Sequence, residues 1–155
     1  KKTAPGFPIA GEVNIDPRLL EQEKRGRTLG EVQQIDVRTI AGLQFEPSEL
    51  RVQRNKLVAL KVINTDESFP HNLVLVRPDR LNAVGEGSMK LASDPEGADR
   101  HYVIDDEGII ALSPMLSSGS HYTIYFKAPS QPGAYPFICT FPGHWQVTRG
   151  ELVVE

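Results

Sequence analysis

Hydrophobic and polar side chains alternate in several short segments of this chain. The clearest alternation covers residues 34–38, 56–64 and 121–127, and a last apolar segment covers residues 150–154. A period of two is typical of strands that bury one face. Turn-forming residues separate the segments, for example at residues 46–48, 64–66, 117–119 and 131–133. The pattern predicts an all-β fold, either an antiparallel sandwich or a Greek-key barrel.

The segment from Arg77 to Tyr102 departs from this pattern. It opens with Pro78-Asp79, is polar overall, and carries well-spaced apolar residues such as Val84 and Leu91. We expect a short helical flap inserted between two strands and ending near residues 93–95.

The first thirty residues also differ from the rest. Residues 1–15 are rich in proline and glycine, which predicts an extended arm. Asp16-Pro17 and the later Gly26 are start and stop signals for a short helix. We therefore divide the chain into an arm with a helix, residues 1–30, and a β domain, residues 31–155. The arm either covers one end of the domain or docks a partner.

Composition narrows the range of functions. A chain of 155 residues with 39% hydrophobic side chains forms one domain with a sizeable core. The net charge of −3 and the absence of a basic stripe argue against a nucleic-acid partner. No apolar run approaches the roughly 20 residues needed to span a bilayer. Because no apolar leader follows Lys1-Lys2, we expect a mature or excised segment whose export signal has been removed.

The chemistry of the chain is concentrated in the segment Cys139-Thr-Phe-Pro-Gly-His144, just before the last strand. Cys139 is the single cysteine, which excludes an intrachain disulfide and a two-cysteine dinuclear site. A turn at Pro142-Gly143 brings Cys139 and His144 to one end of the fold, and His71 begins another strand. One thiolate and two imidazoles suit a soft or borderline metal, and a trigonal His-His-Cys set is typical of blue-copper sites.

Residues 31–155 resemble the plastocyanin/azurin family of cupredoxins, and the segment from Cys139 to His144 is especially azurin-like. The Pro-Gly-His-Trp run ending at Trp145 is similar to azurin-like modules fused to haem-bearing dehydrogenase-type proteins in bacteria. The resemblance implies an eight-stranded Greek-key barrel, one type 1 copper, and single-electron transfer rather than catalysis. It further implies redox partners such as c-type cytochromes and a periplasmic or otherwise exported location. The chain would be a free carrier or one domain of a larger protein.

The resemblance also assigns residues around the metal. In azurin-like proteins, the Asn after the first His bonds to the Ser or Thr after the Cys, and here those positions hold Asn72 and Thr140. Such outer bonds orient the ligands.

The axial position is where the chain departs from the family. The axial Met normally lies four residues after the second His, but here Thr148 occupies that position. Its hydroxyl and the carbonyl of Pro70 are the alternatives, and Gln146 has an unsuitable spacing. We expect Met89 and Met115 to have packing roles.

Three apolar residues flank His144, and electrons would pass through the edge of its ring. We expect Phe141, Pro142 and Trp145 to form a small docking patch for redox partners. The alternative is that the aromatic rings cap the end of the domain. The remaining histidines, His101 and His121, are expected to be exposed.

Two other classes of function stay open on the sequence alone. A Cys-His pair can act as a thiol nucleophile with its base, although no cation or helix terminus that would activate the thiol is evident. The second alternative is an interaction module that keeps the cupredoxin fold with an altered or lost copper site.

Overall fold

Over the part of the chain that the structure describes, nine strands in two sheets form the framework of the protein. The computed structural model describes residues 16–27 and 30–155, so the arm predicted over residues 1–15 lies outside the described residues. The strands found there are β1 (Val32–Ile40), β2 (Gln44–Glu46), β3 (Glu49–Val52), β4 (Leu57–Asn64), β5 (Val74–Val76), β6 (Ile109–Leu112), β7 (His121–Lys127), β8 (Gly133–Ile138) and β9 (Arg149–Val154).

The sheets have the orders β2-β1-β4-β7 and β3-β9-β8-β5-β6. Most neighbours are antiparallel, but β1 pairs parallel with β4 and β3 pairs parallel with β9. The predicted all-β cupredoxin fold is confirmed as a sandwich of two mixed sheets rather than a closed antiparallel barrel. The described residues hold nine strands instead of the expected eight, because the chain changes sheets at Pro47-Ser48, which divides one edge segment into β2 and β3.

The main core lies between the two sheets and follows the period-two pattern of the sequence. On β4, Val58, Leu60 and Val62 are buried, and Ile124 and Phe126 lie beside them on the neighbouring strand β7 of the same sheet. Each such side chain stabilises the fold by roughly 1.5–3 kcal/mol when fully buried. Register is therefore fixed, because a one-residue slip would turn these side chains to solvent.

The predicted helical flap is present between β5 and β6. It consists of α2 (Leu81–Met89) and short 3₁₀ turns at residues 78–80, 90–93 and 98–100. Val84 of α2 joins a second apolar cluster with Val74 and Val76 of β5 and with Trp145. The flap thus closes over the outer face of the second sheet beside the Cys139–His144 segment.

The predicted N-terminal helix, α1 (Pro17–Arg27), is also present and packs on its own domain. Asp16 caps it, because its Oδ1 accepts a hydrogen bond from the Arg18 backbone N–H at 2.9 Å. Leu19 is fully buried in the second cluster. Gln22 pairs with the free edge of β6: its side chain donates to the Leu112 carbonyl and accepts from the Leu112 N–H, both at 2.7 Å. A side chain thereby replaces a neighbouring strand and protects a sheet edge.

Among the described residues, no helix has the length and apolar character needed to cross a membrane.

Candidate metal centre

Three metal-ligating side chains meet at one end of the sandwich. The ligand atoms of His71, Cys139 and His144 all lie within 4.8 Å of one another. The Cys139 Sγ is 3.7 Å from the His144 Nδ1, and the two imidazole ring centroids are 5.2 Å apart. His71 and Cys139 are fully buried, and His144 is 5% exposed. The structure therefore brings together the three side chains that the sequence pattern selects.

The loop after β8 holds two of these side chains through its backbone. Cys139 follows the last residue of β8, and its N–H donates to the Thr148 carbonyl at 3.0 Å. The Thr148 N–H in turn donates to the His144 carbonyl at 2.8 Å. Gly143 has a positive φ of 89°, a conformation that glycine adopts without steric cost and that lets the loop turn back before His144. Cys139 and His144 are thus fixed to the same residue, Thr148.

His71 is fixed from two sides. Its backbone exchanges hydrogen bonds with Leu116, at 3.0 and 2.8 Å. Its Nε2 lies 2.8 Å from Asp66 Oδ2, and both side chains are buried. Since a carboxylate only accepts, the His71 Nε2 carries a proton, and in the neutral imidazole the lone pair is therefore on Nδ1. This Nδ1 is buried and has no hydrogen-bond partner among the described residues.

These features fit a copper ion. A buried polar atom without a partner costs free energy, and a metal bond to the His71 Nδ1 would remove that cost. Burial lowers the pKa of His144, which favours the neutral imidazole that a ligand must present. One thiolate with two imidazoles is a donor set suited to copper.

The state of Cys139 argues against the thiol-enzyme alternative. Burial raises the pKa of the Cys139 thiol to about 12 in the absence of metal. A nucleophilic cysteine needs the opposite shift, supplied by a cation or a helix N-terminus. The side chain therefore suits metal coordination, which favours the thiolate directly.

Asp66 is a site residue that sequence reasoning missed. Burial alone would raise the pKa of its carboxyl, but hydrogen bonds from His71 and from the Ser68 backbone hold the pKa below its ordinary value. The sequence signal was weak, since Asp66 stands in a run of polar turn residues, 64–68, that ordinarily face solvent.

Asn72 and Thr140 join the two ligand loops by two hydrogen bonds. The Asn72 Nδ2 donates to the Thr140 Oγ1 at 2.8 Å, and the Thr140 N–H donates to the Asn72 Oδ1 at 2.7 Å. Both side chains are buried. The residue after the first histidine is thus tied to the residue after the cysteine.

The candidates for the axial position differ in their surroundings. Thr148 is fully buried, and its Oγ1 has no hydrogen-bond partner among the described residues. Pro70 is half-buried and directly precedes His71, whereas Gln146 is exposed. Met115 is fully buried, in agreement with its expected packing role, and Met89 is partly exposed.

The aromatic residues around His144 are arranged differently from the sequence expectation. Phe141 and Pro142 are half-buried, and the Phe141 ring lies 4.9 Å from the His144 ring. The expectation that Trp145 forms part of an exposed patch is wrong, because Trp145 is only 5% exposed and packs beneath α2. Phe69, which the sequence reasoning missed, is 43% exposed and packs edge-on against His144 with ring centroids 5.2 Å apart.

The two remaining histidines lie in different environments. His121 is exposed, as predicted. The same prediction for His101 is wrong: its side chain is buried, and its Nδ1 accepts a hydrogen bond from the Met115 backbone N–H at 3.1 Å. Its carbonyl also accepts a bond from the Asn72 Nδ2 at 3.2 Å. The polar neighbours of His101 in the sequence concealed its burial at the end of the flap.

Known proteins share this fold and sequence pattern. Residues 32–155 match the sequence model of the family described as copper binding proteins, plastocyanin/azurin family. Auracyanin-A of Chloroflexus aurantiacus is 32% identical over 113 residues, which are 73% of this chain and 68% of auracyanin-A. Azurin iso-2 of Methylomonas sp. is 32% identical over 88 residues, 55% of this chain and 64% of that protein. The chain thus spans about two thirds of the length of these relatives.

The solved structure of auracyanin A, described as a "blue" copper protein from the same Chloroflexus species, matches this fold with a TM-score of 0.71. At 29% sequence identity the match covers 81% of this chain and 100% of that one.

Proposed function

Because this chain belongs to the plastocyanin/azurin family of copper-binding proteins, we propose that it carries single electrons between redox proteins. The observation that carries the proposal is the buried group of His71, Cys139 and His144, in which the His71 Nδ1 has no protein partner among the described residues. When bound, copper supplies one-electron chemistry by changing between Cu(II) and Cu(I). The three side chains would hold the ion through one sulfur and two nitrogens.

The surrounding residues restrict movement of the ligands. The backbone bonds of Thr148 fix Cys139 and His144, and the Asn72–Thr140 pair fixes the cysteine loop to the His71 loop. Burial of all three ligands keeps bulk water away. A site that moves little between the two charge states of the ion exchanges electrons with little reorganisation.

We assign the axial position to Thr148. The assignment is supported by its place four residues after His144, by its backbone bonds to both neighbouring ligands, and by its buried hydroxyl without a partner among the described residues. Thr148→Val removes the hydroxyl while keeping the shape of the side chain. We expect it to change the visible and EPR spectra of the copper-loaded protein. Identical spectra would exclude the hydroxyl as an axial group and leave the Pro70 carbonyl.

The route for electrons is the edge of His144. We define the docking face as Phe69, Phe141, Pro142 and Val147, of which Val147 is 60% exposed. The rings of Phe69 and Phe141 pack against the His144 ring, which is itself only 5% exposed. A small apolar face of this kind suits brief contacts with redox partners, and we propose c-type cytochromes in the bacterial periplasm or another exported compartment. The chain acts there as a free carrier or as a domain of a larger protein.

The first experiment adds one equivalent of Cu(II) to the reduced, metal-free protein and records visible and EPR spectra. An intense thiolate-to-copper charge-transfer band is expected in the wild type and should be absent in Cys139→Ser. No such band in the wild type would refute the copper assignment and favour an interaction module with a lost site.

A second experiment tests the docking face through the rate of electron exchange with a c-type cytochrome. Val147→Glu places a charge on this face and should slow the exchange without changing the copper spectrum. Leu20→Glu is the matched control, because Leu20 is 40% exposed on α1 and lies outside the docking face. Equal rates in the two variants would contradict the proposed route.

A further inference from the structure

We propose that Asp66 is a positioning residue of the copper site, which holds the His71 ring with its Nδ1 free for the metal and stabilises Cu(II) relative to Cu(I). The inference rests on the proposed function, because it assumes that His71 binds copper. Asp66 contacts a ligand, His71, and is not a ligand itself, because it lies outside the cluster formed by His71, Cys139 and His144. Its action therefore passes through the imidazole.

The contact between the two side chains is direct and buried. The Asp66 Oδ2 lies 2.8 Å from the His71 Nε2, and the side chains are 2% and 0% exposed. The hydrogen bond fixes the proton on Nε2 and the rotation of the ring. It consequently leaves Nδ1 as the only nitrogen of His71 that can bind a metal.

Asp66 is itself held in place by a buried network. The Asn64 Oδ1 accepts hydrogen bonds from the Asp66 N–H at 3.0 Å and from the Thr39 Oγ1 at 2.9 Å. The Asn64 Nδ2 donates to the carbonyls of Phe69 and Leu116 at 3.1 and 2.9 Å. Asn64 therefore positions the carboxylate and also the strand segment that pairs with the His71 backbone.

One oxygen of the Asp66 carboxylate, Oδ2, is hydrogen-bonded to the His71 ring. The Asp66 Oδ1 accepts from the Ser68 N–H at 2.9 Å, and its Oδ2 lies against the imidazole. Among the described residues, the ion pairs of Asp66 include no lysine or arginine. Its negative charge is thus not neutralised by a basic side chain, and it makes the imidazole a stronger electron donor.

The sign of the effect follows from charge. A carboxylate behind the ligand stabilises the more positive Cu(II) state more than Cu(I), so it lowers the reduction potential. Removal of a carboxylate behind a metal-bound histidine typically weakens metal binding by 10- to 100-fold. If Cu(II) loses about tenfold more affinity than Cu(I), the one-electron potential rises by about 59 mV.

The test uses Asp66→Asn, which keeps the shape of the side chain and removes its charge. The readouts are the midpoint potential by potentiometric titration and the Cu(II) affinity by competition with a chelator. Asp106→Asn is the matched control, because the Asp106 side chain is also largely removed from solvent, at 7% exposed, but pairs with Arg80 at 2.7 Å. We expect a higher potential and at least tenfold weaker Cu(II) binding for Asp66→Asn, wild-type values for Asp106→Asn, and partial recovery in Asp66→Glu.

The outcomes separate the two proposals. A wild-type protein without the thiolate-to-copper band refutes the proposed function, and this inference with it. A normal band in the wild type together with equal potentials for Asp66→Asn and Asp106→Asn overturns only the role of Asp66.

A measurement on the wild type covers the case in which Asp66→Asn does not fold. NMR of the Cu(I) protein should show the His71 Nε2 proton protected from exchange and shifted downfield by its hydrogen bond. A His71 ring that carries its proton on Nδ1, or a rapidly exchanging Nε2 proton, would overturn the inference.

Discussion

The bridge between the two ligand loops gives the sharpest prediction about stability. Asn72→Ala removes a side chain that accepts from the Thr140 N–H, donates to the Thr140 Oγ1 and donates to the His101 carbonyl. All of these groups lie in the buried part of the site, so water cannot easily replace the lost partner. We expect the metal-free protein to be strongly destabilised.

The magnitude follows from the individual bonds. A typical intramolecular hydrogen bond contributes about 1 kcal/mol net, and a buried donor left without a partner costs about 1–3 kcal/mol. Asn72→Ala leaves the Thr140 N–H in this condition and removes two further bonds, which together gives about 3–5 kcal/mol. Thr140→Val removes only the hydroxyl bond and should cost about 1 kcal/mol. The double variant should cost less than the sum, because the two side chains share one bond.

Urea unfolding of the metal-free variants measures these differences. The comparison is sound where the denaturant slope is unchanged, since only then does a shift in midpoint report stability alone. A loss of stability below about 1 kcal/mol for Asn72→Ala would refute the reasoning that the unpaired Thr140 N–H and the lost hydrogen bonds destabilise the protein. Strict additivity of Asn72→Ala and Thr140→Val would show that the bond between them carries no coupling.

Three further predictions concern the parts of the protein that surround the site. Gln22→Glu sets a carboxylate oxygen against a carbonyl at the edge of β6 and should lower stability by about 1–3 kcal/mol; an unchanged urea midpoint would contradict edge pairing by α1. Gly85→Ala would place a methyl group 2.3 Å from the Trp145 ring and should cost about 1–3 kcal/mol in the same assay. Gly87→Ala is its control: the nearest atom is the tip of a flexible isoleucine, so equal losses would argue against a rigid Trp145 contact. Burial lowers the pKa of His101 below 6.5, so below that pH the unfolded state takes up its proton first and stability falls. His101→Asn, which tolerates the left-handed backbone at φ 55°, should lose stability less steeply than the wild type between about pH 7 and pH 5. Parallel curves would exclude His101 as a contributor.

The elements of the fold were predictable where local pattern and burial agree. The alternation along β4 and β7 is visible in the sequence because each strand has one face in the core. The helix α1 was predictable from Asp16 and Pro17, since capping depends on neighbours along the chain. The parallel pairs were not, because the sequence pattern of a half-buried strand contains no information on the direction of its neighbour.

The candidate site divides in the same way. Cys139 and His144 are joined by a short loop, so their meeting was predictable from spacing, and His71 followed from its place at the start of a strand. The burial of Trp145 depends on the flap, which comes from a segment about sixty residues earlier. Asp66 was missed for a similar reason: its turn is held by Asn64, which accepts from the Asp66 N–H and donates to the carbonyl of Leu116, a residue about fifty positions later.

The buried polar atoms of the residues around the ligands have hydrogen-bond partners, whereas some buried polar atoms in or next to the ligand loops have none among the described residues. Around the ligands, Asp66, Asn72 and Thr140 have their buried polar atoms paired. The buried atoms that lack partners among the described residues are the His71 Nδ1, the Trp145 Nε1 and the Thr148 Oγ1, and all three lie in or next to the ligand loops. Since buried polar groups in native proteins are nearly always paired, their concentration here is not a general packing defect. Of these atoms, the His71 Nδ1 and the Thr148 Oγ1 have lone pairs that a metal can use. Fully bonded residues around such free lone pairs are what a preformed metal site requires, because they fix the ligands before the metal contributes any bond.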